Sequence, residues 1–296
     1  SRRRHTRSCL VSWAPEMCIR DSLSTNGSLI TPRLAAFFKE IPPLDEIEIT
    51  IYGLSERTYE EVTRVSGSYQ AVQAGLAYLR EHKIRFAVRG IVLPATLPEL
   101  ASFKEWAREI GSMDGPPAMV FSLDLRARRD SVQRNREIAG LRLSPEKYAQ
   151  LITQEKELYY RTMKEFVRRY LGPRETKLFT CGAGQGIAAL DSYGQLQPCL
   201  LLRHPRVVYP WRRERNLRKA MTDFFPSLQE MVAENREYLE KCARCFISGL
   251  CEQCPARSWM ENGTLDTPIE YYCQVAHAQA EYLGLLSPGE LSLIHI

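Results

Sequence analysis

The first half of the chain alternates between short apolar runs and longer segments with helical periodicity. Residues 47–52 alternate between isoleucine and polar side chains, and residues 84–93 form a second apolar run, so both are predicted strands. Two further strands are predicted at 23–27 and 118–125. Helices are predicted between the strands, beginning at Thr31-Pro32, Ser55, Ser68 and Leu100. Strands separated by helices of this length indicate an α/β fold with a parallel sheet and right-handed crossovers.

The second half of the chain has fewer regular signals. A long helix is predicted at 144–170, after an arginine-rich connector at 126–142. Residues 186–199 have the pattern of a β-hairpin, in which Gly194 would supply the positive φ that the turn requires. A second basic run extends from Arg203 to Lys219, and it is interpreted as a solvated surface or as the docking site of an acidic peptide.

Most of the cysteines lie in this second half. The chain has nine, and none occurs between Cys18 and Cys181. Four of them form the pattern C-x2-C-x5-C-x2-C over residues 242–254. So many thiols in a short region are typical of metal binding, since soft sulfur ligands select zinc or iron–sulfur clusters. The candidate ligands are Cys181, Cys199, Cys242, Cys245, Cys251, Cys254 and Cys273.

Three interpretations of these cysteines compete. Disulfides are disfavoured because a chain of 296 residues can bury a sizeable core without covalent staples. The four cysteines of 242–254 could complete a zinc tetrahedron, but zinc ribbons place about 15–20 residues between their CxxC pairs. A zinc site would also leave the remaining three cysteines without a role. Two iron–sulfur clusters use all seven cysteines and are favoured, with zinc as the alternative.

Composition narrows the class of protein. A hydrophobic content of 44% and a charged content of 25% are those of a globular protein. No apolar run approaches the roughly 18 residues of a membrane-spanning helix. The net charge of +5 is partly concentrated in residues 1–22, which leaves a balance that is not typical of nucleic-acid binding. Clustered, reduced cysteines favour the cytoplasm.

Both ends of the chain lack a helical or strand period. Residues 1–22 and 288–296 resemble peptides produced when sequencing-adapter DNA is translated at the edge of an assembled fragment. They are interpreted as non-native tails, and a natural basic arm is the alternative for the first of them. With the tails excluded, the chain would begin inside a domain.

The cysteine series carries a family resemblance. The order Cys181-x12-Gly194-x4-Cys199, then the four cysteines of 242–254, then Cys273 resembles the SPASM domain of radical SAM enzymes. The resemblance implies two auxiliary 4Fe–4S clusters, one held by Cys181, Cys199 and Cys254 and the other by Cys242, Cys245, Cys251 and Cys273. The first cluster would be one ligand short, which implies an open iron site or a non-cysteine ligand. His277 is a further candidate ligand, with an ordinary surface histidine as the alternative.

The first half resembles the same family. The segments STNG, EIEITIYG, GSYQAVQAGLAYLREHKI and GIVLPATLPEL resemble later strand–helix units of the radical SAM barrel. The implied fold is the C-terminal part of a partial (β/α)6 TIM-type barrel at 23–125, followed by a connector and long helix at 126–174. A small, cysteine-rich α+β SPASM domain follows at 175–287. The CxxxCxxC motif that holds the family's SAM-binding cluster is absent, so the last four of six strands are expected.

Polar residues on the predicted strands are candidates for contact with S-adenosylmethionine. The isoleucines of the 47–52 strand suit the helix side of a barrel, which leaves the alternating polar residues toward the lumen. Thr50 matches a position where the family places a hydroxyl near the SAM ribose. The candidate cofactor-binding residues are Asn26, Thr50, Tyr52 and Arg89, with ordinary polar positions at strand ends as the alternative. No catalytic residue is identified.

The resemblance implies an enzyme that matures a peptide or protein. The full-length protein would use S-adenosylmethionine and a third 4Fe–4S cluster, with an electron donor such as flavodoxin or ferredoxin. Without the CxxxCxxC motif, this chain alone is expected to be inactive. The alternative is a non-catalytic, zinc- or cluster-binding module that recognises a peptide. Neither interpretation involves nucleic acid or a membrane.

Overall fold

The computed structural model describes residues 23–43, 47–111, 113, 117–121, 131–154, 157, 159–161, 163, 166 and 171–292. The tail at 1–22 and the expected end of the fourth strand at 122–125 lie outside these ranges. The chain divides into two compact units, 1–124 (unit 1) and 125–296 (unit 2). Throughout the described ranges, each helix is too short or too polar to cross a lipid bilayer.

Unit 1 is built on a parallel sheet. Its strands are β1 (Leu23–Thr25), β2 (Ile47–Ile51), β3 (Phe86–Val92) and β4 (Ala118–Phe121). They lie in the order β1-β2-β3-β4, and every neighbouring pair is parallel. Sequential parallel neighbours require a crossover after each strand, and helices provide these crossovers after β1, β2 and β3. The predicted α/β architecture with a parallel sheet is therefore confirmed.

The helices of unit 1 begin close to their predicted starts. Thr31 and Ser55 are N-caps, each accepting a hydrogen bond from a backbone N–H of the first helical turn. The N-cap predicted at Ser68 is wrong by one residue, because Gly67 takes this position with a φ of 78° that glycine adopts without steric cost. The helices are α1 (Pro32–Glu40), α2 (Glu56–Thr63), α3 (Ser68–Glu81) and α4 (Leu100–Arg108), with a 3₁₀ helix at Pro94–Glu99.

The two faces of β2 have different surroundings, as the alternation of its sequence predicts. Its isoleucines are buried in one core with apolar residues of α3 and α4. The buried set includes Ile47, Ile49, Ile51, Val72, Leu76, Leu79, Phe103 and Ala107. Glu48 and Thr50 lie on the opposite face and are half-buried. The helix side and the polar side of the strand are therefore assigned correctly from the sequence.

Gly75 in helix α3 lies against the turn after β1. A Cβ there would overlap the carbonyl oxygen of Gly27. We predict that Gly75→Ala lowers the free energy of unfolding by about 2 kcal/mol, because overpacking costs about 1–3 kcal/mol and outweighs the roughly 1 kcal/mol gained in helix propensity. Urea unfolding followed by circular dichroism measures the change. Gly111→Ala is the control, since a Cβ at Gly111 meets no atom within 4 Å, and equal losses in both variants would contradict the steric explanation.

The predicted long helix of unit 2 is interrupted. Helix α6 (Pro145–Ile152) ends at Thr153, whose hydroxyl donates to the carbonyl of Ala149 at 2.7 Å. A single continuous helix over 144–170 is therefore wrong, because the backbone leaves the helical conformation at Thr153, with φ −97° and ψ 4°. The arginine-rich connector contains a helix of its own, α5 (Val132–Leu141), which is capped by Ser131.

The predicted hairpin is confirmed in a shorter form. Strands β5 (Ala189–Leu190) and β6 (Leu196–Gln197) pair antiparallel. Gly194 has a φ of 76° in the turn between them, as its place in the sequence predicts. The Asp191 carboxylate accepts the backbone N–H groups of Tyr193 and Gln195, both at 2.9 Å, and these bonds order the turn.

The rest of unit 2 consists of short helices around two buried clusters of apolar side chains. Two three-residue 3₁₀ helices, Cys242–Arg244 and Ser248–Leu250, are the regular structure described between residues 241 and 254. The α-helices are α7 (Trp211–Glu214), α8 (Leu217–Lys219), α9 (Phe225–Leu228), α10 (Arg236–Glu240), α11 (Pro255–Asn262) and α12 (Glu270–Tyr282), with a π-helix at Ala220–Phe224 and a 3₁₀ helix at Pro205–Val207.

Candidate functional site

The seven candidate ligands lie on turns and helix ends of unit 2. Cys199 follows β6, Cys254 is the residue before α11, and Cys273 lies near the start of α12. Cys242 begins one 3₁₀ helix, and Cys251 follows the next. All seven are free thiols. Because turns rather than long helices carry most of them, their positions depend on local hydrogen bonds.

Cys199 interacts electrostatically with Cys181 and Cys254. Burial raises the pKa of the Cys199 thiol, and the negative charges that Cys254 and Cys181 would carry raise it further. The backbone N–H groups of Leu201 and Leu202 oppose this rise by donating to the Cys199 sulfur. Because such an interaction weakens with distance, Cys199 lies near both of the other thiols.

The other four cysteines form a second group. Burial raises the pKa of Cys242 to about 12, with further contributions from the charges of Cys251, Cys273 and Cys245. Burial likewise raises the pKa of Cys251 to about 11, and Cys273 and Cys245 add to it. The seven thiols are thus arranged as one group of three and one group of four. That these two groups are the ligand sets of two clusters, as the family resemblance implies, remains a prediction.

Backbone N–H groups point at several of these sulfurs. Cys245 accepts a hydrogen bond from the N–H of Ile247, and Cys251 accepts one from the N–H of Gln253. In both cases the donor lies two residues after the cysteine, and the same pattern occurs at Cys199. Hydrogen bonds to sulfur favour the thiolate over the thiol and influence the potential of a bound metal centre. The turns are therefore suited to presenting thiolates.

Ser292 contacts the second group. Its hydroxyl lies 3.1 Å from the Cys245 sulfur, and its carbonyl accepts the N–H of Phe246 at 3.0 Å. Ser292 is buried although it belongs to the segment 288–296, which the sequence assigns to a tail. The hydroxyl opposes the rise in the pKa of Cys245 that burial causes.

The candidate donor set consists of thiols, which both zinc and iron–sulfur clusters accept. Within the described ranges, no three His, Cys, Asp or Glu side chains converge in the geometry of a site for one metal ion. A cluster distributes its thiolates over several irons, so its ligands lie further apart than those of one ion. The thiols repel one another as thiolates, and a cationic centre would compensate that repulsion. That they bind metal remains a prediction.

His277 is placed near Cys273, but its nearer nitrogen is not available as a ligand. Helix α12 puts His277 Nδ1 at 3.6 Å from the Cys273 sulfur and 2.8 Å from the Cys273 carbonyl oxygen. A carbonyl only accepts, so Nδ1 carries the proton in this hydrogen bond. His277 therefore does not coordinate through Nδ1 in this geometry.

The polar face of the sheet in unit 1 carries an ion pair. Arg89 Nη2 lies 2.6 Å from the Glu48 carboxylate, and the Ser24 hydroxyl donates to the other oxygen of that carboxylate at 3.1 Å. Thr50 is the register partner of Arg89 on the neighbouring strand. The predicted residues Thr50 and Arg89 are thus together on one face. The pairing of Arg89 with Glu48 was not predicted, although both residues follow the polar alternation of their strands.

The other two predicted cofactor-binding residues have local partners. The Asn26 side-chain oxygen accepts the backbone N–H of Ser28 at 3.1 Å and its hydroxyl at 2.9 Å, which orders the turn after β1. Tyr52 packs edge-to-face on Tyr59, with 5.6 Å between ring centroids. Both residues have the structural role that was the alternative for them, and their contact with a cofactor remains a prediction.

Known proteins share the sequence pattern and the fold. No protein-family model matches the chain. The AdoMet-dependent heme synthase of Nitratidesulfovibrio vulgaris is 24% identical over 286 residues, covering 86% of this chain and 71% of the relative. The structure of anSMEcpe with bound AdoMet has a TM-score of 0.52 and 14% identity, covering 89% of this chain and 73% of the other. The structure of anSMEcpe with AdoMet and the Kp18Cys peptide has a TM-score of 0.50, 16% identity and the same coverage.

These relatives have AdoMet in common. The heme synthase depends on it, and both anSMEcpe structures contain it. At such low identities the structural matches show a shared fold, and their coverage of 89% includes residues of both units. Together, the sequence relative and the shared fold confirm the resemblance of this chain to the radical SAM enzymes that carry a SPASM domain.

Proposed function

We propose that this protein is a radical SAM enzyme that modifies a peptide or protein, and that unit 2 binds two auxiliary 4Fe–4S clusters. The observation that carries the proposal is the arrangement of seven free cysteines in two groups. The first cluster would be held by Cys181, Cys199 and Cys254, and the second by Cys242, Cys245, Cys251 and Cys273. The incomplete first set leaves one iron for a non-cysteine ligand or for substrate.

The residues of the chain would bind, orient and tune these groups. When bound, the clusters would supply electron transfer or a contact with substrate. The N–H groups of Ile247 and Gln253 donate to the sulfurs of Cys245 and Cys251, which opposes the rise in pKa that burial causes and would favour the thiolate form that a cluster binds. In unit 1, AdoMet would lie against the polar face of the sheet, with Asn26, Thr50, Tyr52 and Arg89 as its contacts. The proposal also implies an electron donor such as flavodoxin or ferredoxin.

A peptide substrate is favoured by one structural neighbour and by the charge of unit 2. The anSMEcpe structure contains the Kp18Cys peptide. The basic run from Arg203 to Lys219 includes the exposed side chain of Arg213 and would attract an acidic peptide. The heme synthase relative supports a second candidate substrate, a tetrapyrrole. Anaerobic titrations of the reconstituted protein with an acidic peptide and with a porphyrin distinguish the two substrate classes.

Metal content tests the proposal directly. The family's CxxxCxxC motif is absent from these 296 residues, so the test is binding rather than turnover. We predict that anaerobically reconstituted protein is brown and contains about eight iron and eight sulfide per chain, which corresponds to two filled 4Fe–4S sites. Colourless protein with one or two zinc ions would instead support the alternative, a non-catalytic zinc module that recognises a peptide.

A further inference from the structure

Arg174, seven residues before Cys181, binds the loop at 248–253, which carries the candidate ligand Cys251. Its Nη2 donates to the carbonyl oxygen of Cys251 at 2.8 Å and to that of Ser248 at 3.2 Å. Its Nη1 donates to the carbonyl oxygen of Gln253. One guanidinium thus binds three carbonyls of a six-residue loop, and its planar, rigid set of donors suits this role.

These bonds orient the peptide groups around Cys251. Gln253 uses its carbonyl for Arg174 and its N–H for the Cys251 sulfur. The Gln253 side chain extends the connection, because its Nε2 donates to Thr267 O at 3.1 Å and its Oε1 accepts Ile269 N–H at 3.1 Å. Ile269 is the residue before α12, the helix of Cys273. Hydrogen bonds therefore connect Arg174 to Cys251 directly. They also connect it, through Gln253 and Ile269, to the start of the helix that carries Cys273.

The backbone around Arg174 has anchors of its own. Gly172 N–H donates to Phe246 O at 2.8 Å, and Glu175 N–H donates to Ala243 O at 3.1 Å. The Ser248 hydroxyl donates to Gly172 O at 2.7 Å. Since these bonds do not involve the Arg174 side chain, a change of that side chain leaves the segment attached to the cysteine loop.

The charge of Arg174 acts on the same cysteines. Burial raises the pKa values of Cys251, Cys242 and Cys245, and the Arg174 charge opposes the rise at each of them. Lys241 is a second cation near this group, but its side chain is 62% exposed and paired with Glu237 at 2.9 Å. A half-buried guanidinium is screened less by solvent than an exposed lysine.

We propose that Arg174 is a positioning residue of the second cysteine group, and that its charge raises the reduction potential of the cluster bound there. The proposal rests on the proposed function, because it requires a cluster at this site. Reduction adds one negative charge to a cluster, and a fixed cation beside it stabilises the reduced state. Its hydrogen bonds to the three carbonyls keep the Cys251 loop in the geometry that presents the sulfur.

The test is a redox titration of the reconstituted protein followed by electron paramagnetic resonance. Arg174→Gln should lower the midpoint potential of the second cluster, so that at a fixed potential the ratio of reduced to oxidised cluster falls about tenfold, equivalent to about 59 mV for one electron. Lys241→Gln removes an exposed charge near the same site and should change the midpoint potential of the second cluster much less. Cys242→Ala protein, which lacks the second cluster, identifies the signals of the first.

Each outcome decides the proposal. An unchanged potential in Arg174→Gln protein with full iron overturns it, as does an equal shift in Lys241→Gln. If Arg174→Gln does not retain the second cluster, Arg174→Lys keeps the charge and decides: a retained cluster with a wild-type potential supports the proposal, and a retained cluster with a lowered potential overturns it. Loss of the cluster in Arg174→Lys as well supports the positioning role, because lysine lacks the planar donor set that binds the three carbonyls. Wild-type protein without a second cluster would contradict the proposed function instead, which separates the two failures.

Discussion

Replacing Cys242 by alanine is expected to remove about half of the bound iron and sulfide, because one of two 4Fe–4S clusters loses a ligand. Cys242 interacts electrostatically with Cys251, Cys273 and Cys245. The first group shares no residue with this set, so its cluster should remain. Iron and sulfide analysis of the reconstituted variant, together with its visible absorption, measures the loss.

Two matched variants complete the experiment. Cys199→Ala should remove the other half of the iron, since Cys199 interacts with Cys181 and Cys254. Cys18→Ala should retain all of it, because Cys18 is not among the candidate ligands. If Cys242→Ala and Cys199→Ala each abolish all iron, the division into two independent sites is wrong.

Features with a local cause were predictable from the sequence. The alternation in β2 determines which side chains face the core, because successive side chains of a strand point to opposite faces. The turn at Gly194 follows from its need for positive φ. The grouping of the cysteines was available through the family resemblance; Cys199 interacts electrostatically with Cys181 and Cys254, and their shared role as ligands remains a prediction.

Features that depend on distant backbone atoms were not predictable in the same way. Arg174 binds the carbonyl of Cys251, which is 77 residues away, and any residue type offers such a carbonyl. Helix α6 ends at Thr153, whose hydroxyl bonds to the carbonyl of Ala149, in a sequence that otherwise continues a helical pattern. Ser292 lies in a segment without periodicity, so no sequence signal places it beside Cys245. In each case the residue type alone does not identify the partner that it contacts in the fold.

Removing the clusters is expected to expose the segment between Lys241 and Cys254 to trypsin. Metal ligands contribute folding free energy directly, about 10 kcal/mol or more at structural zinc sites. Without a cluster, burial and mutual repulsion keep the pKa of Cys242 near 12, so its thiol is neutral at pH 8 and forms no compensating ion pair. The regular structure described between residues 241 and 254 consists of two 3₁₀ helices of three residues each. Local opening of such a segment costs little.

The apo chain should therefore be cut after Lys241 and Arg244 at least about tenfold faster than the reconstituted chain, since proteolysis follows the population of the open state. Mass spectrometry of timed digests identifies the two sites. Cleavage after Arg80 provides the internal control, because Arg80 lies in α3 of unit 1, among residues that are not candidate metal ligands. Equal rates at Lys241 with and without clusters would show that the cysteine loop is ordered by its apolar contacts and by Arg174 alone. Faster cleavage at Arg80 as well would show instead that loss of metal destabilises the whole chain, because both units would then open together.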